Sequence, residues 1–398
     1  MSKNEMERNI VLYKWFFVLV EPLFVGPTLI LYLERVAKMS LSHIYIMEAV
    51  VIALAVIMEI PSGALADLIG RKKTMVLGAF SMLICKILLS IATSSLYVWI
   101  SNIFWVTSIS MISGANFAFL YDSLKELDRK NEWEATQGKA FSYMFLTSAF
   151  CFLSVGFLSE ISLRLPFLLS IPGILASCFI ALFFKETGRT ERYNGRKQQE
   201  LMKLSFLFVK NHKKIKWIVG FSVLILVSSK IWFFSYNPYF ELVGFNLKYY
   251  GIVFFFFNII AWYFSRNAYL LKRKIKEKSC VVSIVVLMAI PIILMGTFVS
   301  KLMISMTFVQ NIVRGFIKPF TGGLLNHHIK DSSKRATILS IESAVSGFVS
   351  FFALSLFGLS LKIWSLVFSL KILGVLVLII GSFLIIQYKR IFQEKNLP

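Results

Sequence analysis

Charged residues are scarce in this chain, and acidic ones most of all: 21 Asp and Glu stand against 43 Lys and Arg in 398 residues, 16% charged in total. Soluble domains carry about 25% charged residues. With 57% hydrophobic residues and a mean hydropathy of +0.72, a soluble globular fold is excluded. Cysteine is rare as well. Cys85, Cys151, Cys178 and Cys280 lie in or beside apolar runs at unrelated spacings, so neither a disulfide framework nor a thiolate metal site is indicated. They read as small core residues. Histidine occurs four times, and the adjacent pair His327-His328 is badly spaced for two ligands on one helix face; no metal is expected. The chain has no GxxxxGK[ST] loop, no zinc motif and no G-x-S-x-G. That argues against an ATP-driven pump and an intramembrane enzyme, and no catalytic residue or cofactor is expected. Nor is a secretory signal: Met1 to Ile10 is polar, and no small-residue cleavage site follows the first apolar run.

What the chain has in quantity is apolar length. A helix crossing the hydrocarbon of a bilayer needs about 20 apolar residues. Twelve such runs can be placed, at 11–33, 42–62, 74–93, 96–121, 138–160, 164–184, 216–240, 248–270, 280–299, 301–325, 337–359 and 362–387. The fold class is therefore an all-α integral membrane protein of twelve transmembrane helices. The net charge of +22 would suggest nucleic acid in a soluble protein, but here the cations follow the positive-inside rule. With the amino terminus in the cytoplasm, inside loops carry Arg71, Lys72 and Lys73, then Lys125, Arg129 and Lys130, then Lys272, Arg273, Lys274, Lys276 and Lys278, then Lys330, Lys334 and Arg335. Outside loops carry only isolated cations such as Arg35, Lys38, Arg164, Lys248, Lys301 and Lys362. The expectation is a multi-pass protein of the inner or plasma membrane with both termini cytoplasmic, monomeric, in contact with lipids and with no nucleic-acid partner.

One stretch departs from the short-loop pattern. Lys185 to Lys216 is polar and strongly basic, and its cations suit anionic headgroups of the inner leaflet. It divides the chain into a six-helix half at 1–184, a cytoplasmic basic linker at 185–215 and a second six-helix half at 216–398. A weak internal repeat supports two halves. Span four ends in F-L-Y-D-S-L and a charged loop leads to Glu134-Ala135-Thr136, while span ten ends in G-L-L-N-H-H and a charged loop leads to Arg335-Ala336-Thr337.

The most specific motif is the loop Gly63 to Lys73, G-A-L-A-D-L-I-G-R-K-K, between the apolar runs Ile44–Pro61 and Thr74–Thr93. A bilayer does not tolerate such a charge cluster, so the loop sits at a membrane face. It resembles the signature loop between the second and third helices of the major facilitator superfamily of secondary transporters. The segments P-F-T-G-G-L-L-N and R-A-T-I-L-S resemble those of bacterial permeases within it. The resemblance extends over the whole chain in topology and over 59–75, with weaker stretches at 110–124 and 314–340, in motif. It implies two pseudo-symmetric six-helix bundles of parallel topology related by an axis along the membrane normal.

Within the loop, Gly63 permits close approach of a helix and Gly70 permits a tight turn. Asp67 can accept hydrogen bonds at the positive amino end of a helix, which the resemblance places at span eleven near Ala336. Arg71 and Lys72 can pair with carboxylates at helix ends, with Asp122 the natural candidate. Together these groups are expected to latch the two halves in an outward-facing state.

Ionisable residues within spans are costly unless functional or paired. The resemblance implies that spans one, four, seven and ten line a central cavity. That makes Glu21, Lys230 and Arg314 candidate cavity residues, with Lys318 one turn from Arg314 and Asn116, Asn237 and Asn311 as neutral partners. They form either a site for substrate, a proton or both, or a structural ion pair of Glu21 with Lys230 or Arg314. Lys86 and Lys371 lie in spans three and twelve, which the resemblance implies are peripheral, and are read as snorkelling or locally paired. Glu48 and Glu342 face either the cavity or helix seams. The runs Phe254 to Phe257 and Trp262-Tyr263 read as lipid-facing or packing surface.

Two departures from the family pattern stand out. Where many proton-driven exporters have an Arg four residues before a span-four Gly, the register before Gly114 gives Ser110, and the loop between spans eight and nine keeps its charges without its glycines. The expected function is secondary active transport of a small molecule by alternating access, coupled to protons. Efflux of a drug or metabolite fits the aromatic richness; uptake of a polar or anionic solute fits Lys230, Arg314 and Lys318. A lipid-modifying or scramblase-like membrane protein and a receptor without flux are the other classes, against both of which the intact loop argues.

Overall fold

The computed structural model describes residues 3–187, 209, 211–328 and 332–393. All regular structure among them is helical. The principal helices are α1 (Lys3–Leu19), α2 (Leu29–Arg35), α3 (Leu41–Ile69), α4 (Arg71–Ser90), α5 (Ser95–Glu126), α6 (Trp133–Ile161), α7 (Leu165–Phe183), α8 (Lys213–Leu242), α9 (Tyr250–Arg266), α10 (Ala268–Lys274), α11 (Glu277–Met295), α12 (Ser305–His328), α13 (Ser332–Ile363) and α14 (Leu366–Tyr388). Among the described residues, ten helical segments are long and apolar enough to cross a membrane. Their outward residues are themselves apolar: Ile379 is 60% exposed and Phe383 58%, surfaces suited to lipid. Prolines at 61, 172, 238, 291 and 319 lie inside α3, α7, α8, α11 and α12, as membrane helices tolerate.

The two expected spans outside that group of ten carry four of the seven candidate cavity residues, Glu21, Asn311, Arg314 and Lys318. Span 301–325 is α12, whose 24 residues include Gln310, Asn311, Arg314 and Lys318. Span 11–33 is not one helix. It ends as α1 at Leu19 and resumes through a short 3-10 turn, Gly26–Thr28, into α2. Pro22 is the cause, because it lacks an N–H for the helical ladder and disfavours helical geometry at the residue before it, Glu21. One donor freed by the break, the Phe24 N–H, is taken up by Ser170 Oγ of α7 at 3.4 Å.

The chain forms two compact units. Unit 1 comprises Met1–Ser40, Val50–Gly195 and Leu247–Phe255, and unit 2 comprises Leu41–Ala49, Arg196–Asn246 and Phe256–Pro398. The halves expected at 1–184 and 216–398 thus each exchange one short segment. Close packing explains which. In unit 1 a side chain built at Gly156 of α6 would run into the backbone carbonyl of Lys248, and in unit 2 one built at Gly358 of α13 would lie 3.0 Å from the Ser42 carbonyl oxygen and Tyr45 Cβ. Tyr45 is further held by its hydroxyl, 2.9 Å from the Ile231 carbonyl and 2.6 Å from Ser235 Oγ.

Unit 1 has a core of Tyr13, Phe16, Met75, Phe119, Cys178 and Phe184, among others. Phe184 is gripped by Phe16 and Phe119, with ring centroids 5.4 and 4.7 Å away. The loops that follow α4 and precede α7 are tied by Arg164, which donates to the Ser90 and Ala92 carbonyls at 2.6 and 2.7 Å. A cation expected only as an isolated loop charge therefore closes the carboxyl end of α4. In unit 2 the rings of Trp232, Tyr236, Phe240 and Phe257 are buried. All four cysteines are free thiols; three are buried and Cys151 is half-buried, consistent with packing roles. The basic linker falls mostly on 188–208 and 210, outside the described residues, as do the side chains of His327, His328, Arg335, Ala336 and Thr337.

Candidate functional site

The signature loop becomes a turn between two helices. Gly70 has φ +105°, a conformation that residues with a side chain rarely adopt, and α4 starts at the next residue. The first N–H groups of a helix have no partner within it. Here two of them are met by one carboxylate: Glu186 accepts from the Arg71 N–H at 2.9 Å and from the Lys72 N–H at 3.1 Å. A negative charge at a helix amino end is also favoured by the helix dipole.

Glu186 lies 115 residues from Arg71 and is positioned by Asn9. That buried amide accepts from the Lys185 N–H and donates to the Lys185 carbonyl, both at 2.9 Å. Lys185 Nζ also pairs with Glu5 at 3.1 Å. Sequence reasoning put residue 185 at the start of a linker. The structure instead ties 185 and 186 to α1 and α4. The available signal was a lone Asn at position 9, just ahead of the first apolar run.

The Arg71 guanidinium pairs with Asp122, which is buried, and donates to the Ala118 carbonyl at 2.8 Å. Asp67 and Glu186 add their fields to it. Asp67 is half-buried and is not free of partners; the side chains near Ala336 that were expected beside it lie outside the described residues. Lys72 enters the cluster through its backbone N–H, not through its ammonium. Gly63 itself is not crowded: a side chain built there would meet nothing within 4 Å among the described residues. One built on Gly114 of α5 would lie 3.2 Å from the Gly63 N, so the close approach is enforced from the α5 side. Nearby, Arg129 donates to Glu132 and Glu7 at 2.5–2.7 Å, and these bonds raise its pKa further, keeping it charged.

Deeper in unit 1, Glu21 occupies the helix break. It makes no hydrogen bond or ion pair with any described residue, and the charge that acts on it there is Lys86. Lys86 was expected to snorkel or pair locally. It is 4% exposed on α4, with its ammonium 4.4 Å above the Trp105 ring, a cation–π contact. The alternative partners for Glu21, Lys230 and Arg314, belong to unit 2. Asn116 is buried on α5 with its carbonyl oxygen unpaired among the described residues.

Unit 2 gathers its polar groups differently. On α12, Asn311 donates to the Tyr236 hydroxyl at 3.4 Å and to the Thr307 carbonyl at 2.8 Å, and its own side-chain oxygen is unpaired among the described residues. One turn on, Arg314 donates to Asn258 Oδ1 at 2.8 Å and pairs with no carboxylate among the described residues. One more turn on, Lys318 Nζ lies 3.1 Å from Glu342, which is 2% exposed and also accepts from the Ser222 hydroxyl. Glu342 therefore answers a charge of α12, and Lys318 is a paired cation. Lys230 makes no hydrogen bond or ion pair with a described residue; Glu48 and Lys318 act on it through space. Asn237 is buried with its oxygen unpaired among the described residues. Tyr236, Asn258 and Gln310, whose amide donates to the Ser229 carbonyl at 3.3 Å, were missed in the sequence. Asn258 left a signal, a single amide ending a run of four phenylalanines.

The aromatic runs divide as helix faces require. Phe254 and Phe257 are buried, Phe257 against Tyr236 and Phe308, whereas Phe256, Trp262 and Tyr263 are 41–54% exposed. The described residues hold no group of three or more His, Cys, Asp or Glu fit for a metal ion.

Solved structures share this architecture. The nucleoside transporter NupG, in a mutant form, aligns over 97% of this chain and 100% of its own with TM-score 0.79 and 12% identity. A bacterial homologue of the human lysosomal transporter Spinster aligns over 99% and 98% with TM-score 0.74 and 14% identity, and a D-xylose-proton symporter over 100% and 98% with TM-score 0.72 and 15% identity. Identities this low establish the fold alone. No curated protein matches the sequence. The family model described as Major Facilitator Superfamily matches residues 16–353, most of the chain. With its apolar helices and the turn around Gly70 and Arg71 in place, this protein belongs to the major facilitator superfamily, and it is a transporter, not an enzyme.

Proposed function

We propose that this transporter moves a small polar solute bearing an anionic or carbonyl acceptor group, by alternating access coupled to protons through Glu21. One observation carries the substrate class. Arg314 has five N–H donors in a planar fork, spends one on Asn258, and has no carboxylate partner among the described residues. Leaving a guanidinium so unmatched inside an apolar bundle is costly unless something else uses it. The oxygen of Asn311, one turn away and without a partner among the described residues, offers an acceptor for the donor groups of the same solute. Glu21 is the counterpart for the proton. No hydrogen bond or ion pair with a described residue fixes its charge, so it is the carboxylate best able to load and release one.

Efflux of an amphipathic drug, which the aromatic content favours, draws less support. Phe257 is committed to packing, and Trp262 and Tyr263 are exposed on the unit. Export of a polar metabolite and uptake of a polar solute run through the same residues, and the sign of the driving gradient separates them. In proteoliposomes with an imposed pH gradient, organic anions and hydroxylated solutes are expected to be accumulated or expelled, with apolar drugs inert. Gradient-driven movement of apolar cations, with no polar solute moved, would overturn the substrate class. Solute flux that ignores the pH gradient would overturn the coupling.

A further inference from the structure

Unit 2 contains a second feature that transport chemistry does not use. Beside the short helix α10 lies a cavity of about 610 Å³, lined by Arg266, Lys272, Arg273, Phe320 and Gly323, among others. Three cations border it. Arg273 is exposed and makes no hydrogen bond or ion pair with a described residue. Arg266 stacks its guanidinium 5.5 Å from the Trp262 ring, and Lys272 Nζ lies 5.9 Å from the Phe320 ring. Glu277, 4.0 Å from Lys272, is engaged by the Tyr388 hydroxyl at 2.8 Å and does not line the cavity.

A second, apolar slot of about 110 Å³ is lined by Phe264, Leu271, Ile275, Ile284, Ile312 and Phe316, among others. The two spaces lie along one face of α12. Ile312 and Phe316 line the slot, while Phe320 and Gly323 line the basic cavity, a spacing of three to four residues that keeps side chains on one helix face. At 1.5 Å per residue the centres of the two stretches are about 10 Å apart along the helix. Trp262 and Tyr263, 41% and 54% exposed one turn before Arg266, are residue types that settle at membrane interfaces.

We infer that this groove is a binding site for an anionic phospholipid, its phosphate held by Arg266, Lys272 and Arg273 and the start of an acyl chain seated in the apolar slot. The slot, the interfacial aromatic pair and the separation of about 10 Å select a lipid over a free anion, which would use the basic cavity alone. Lys272 and Arg273 belong to a loop that the positive-inside rule assigns to the cytoplasmic leaflet, where anionic lipids reside, and Arg266 ends the helix that leads into it.

The test uses the purified full chain in detergent with phosphatidylglycerol, phosphatidylcholine or soluble glycerol 1-phosphate, read by native mass spectrometry and by the melting midpoint. Phosphatidylglycerol is expected to stay bound and to raise the midpoint, and phosphatidylcholine to do neither. The double variant Lys272→Gln with Arg273→Gln should retain at least about tenfold less phosphatidylglycerol, the loss expected when charge-assisted bonds to phosphate are removed. The charge-matched double variant Lys301→Gln with Lys362→Gln, in loops assigned to the opposite face, should behave as the parent. Equal retention of both lipids, or the same loss in both double variants, would overturn the site. A midpoint shift from glycerol 1-phosphate equal to that from the lipid would leave a free-anion site and overturn the lipid assignment. Should the first double variant fail to fold, the exposed single change Arg273→Gln gives the same comparison, with a smaller loss.

Discussion

Unit 1 surrounds its Arg71 guanidinium with Asp122, the Ala118 carbonyl and the field of Glu186, whereas unit 2 leaves Arg314 with one amide oxygen. The acids differ in the opposite sense. Glu342 of unit 2 accepts from Ser222 and Lys318, while Glu21 of unit 1 makes no hydrogen bond or ion pair with any described residue. A saturated charge is structural, since burying it requires partners. An unsaturated one retains capacity for a ligand. By that criterion unit 1 keeps spare capacity for a proton and unit 2 keeps spare capacity for an acceptor group, although both descend from similar strings of apolar helices.

The sharpest way to break this comparison is at Glu21. Replacing it with Gln keeps the shape and removes the proton, so gradient-driven accumulation should be abolished while solute exchange across the membrane persists. Uphill accumulation with unchanged pH dependence would return Glu21 to a packing role. Next in size is Arg314. A hydrogen bond to a charged group contributes about 1.5–3 kcal/mol, so Arg314→Ala should weaken solute binding by roughly 10- to 100-fold. Arg314→Lys should fall between that and the parent, because the planar fork is lost with the charge kept. Binding isotherms that overlay for all three proteins would make Arg314 a structural cation.

The third change addresses the packing that defines the units. Ala at Gly156 must displace the Lys248 backbone, and Ala at Gly358 must displace Ser42 or Tyr45. Overpacking of this kind costs about 1–3 kcal/mol, and the backbone obstacle at Gly156 should make that substitution the worse of the two. Melting midpoints report it, and equal midpoints would mean that the helices part freely at these crossings. Smallest is the α4 cap. Glu186→Gln keeps acceptor geometry but loses the charge, and Asn9→Ala releases the segment that presents it; each should cost about 1 kcal/mol, in line with caps and helix-dipole partners. Asp67→Asn is expected to cost a similar amount and to alter inside–outside labelling of introduced cysteines while insertion stays normal. Unchanged labelling would count against a latch at Asp67.

Much of the turn at 63–73 was legible because its parts are adjacent in the chain. Gly70, Arg71 and Lys72 must share one place wherever the helices go, and the pairing of Arg71 with Asp122 required only that two helix ends meet on one membrane face. The break at Glu21 could also have been read, since Pro22 dictates it locally. Glu186, Lys86 and Asn258 could not be assigned partners in this way. Each lies on or beside a helix that is apolar on nearly all sides, where periodicity carries no phase.

The sequence by itself determined that the chain crosses a membrane through many helices, because apolar length and the poverty of acids leave no soluble alternative. It also determined where the charged turns lie, because a bilayer expels them. Only the tertiary structure decided which polar groups far apart in the chain meet: Arg71 with Glu186 across 115 positions and Arg314 with Asn258 across 56. In an apolar solvent the rotation of each helix is set by side-chain packing against its neighbours. That rotation selects which lone amide, carboxylate or guanidinium finds a partner and which is left free for a ligand.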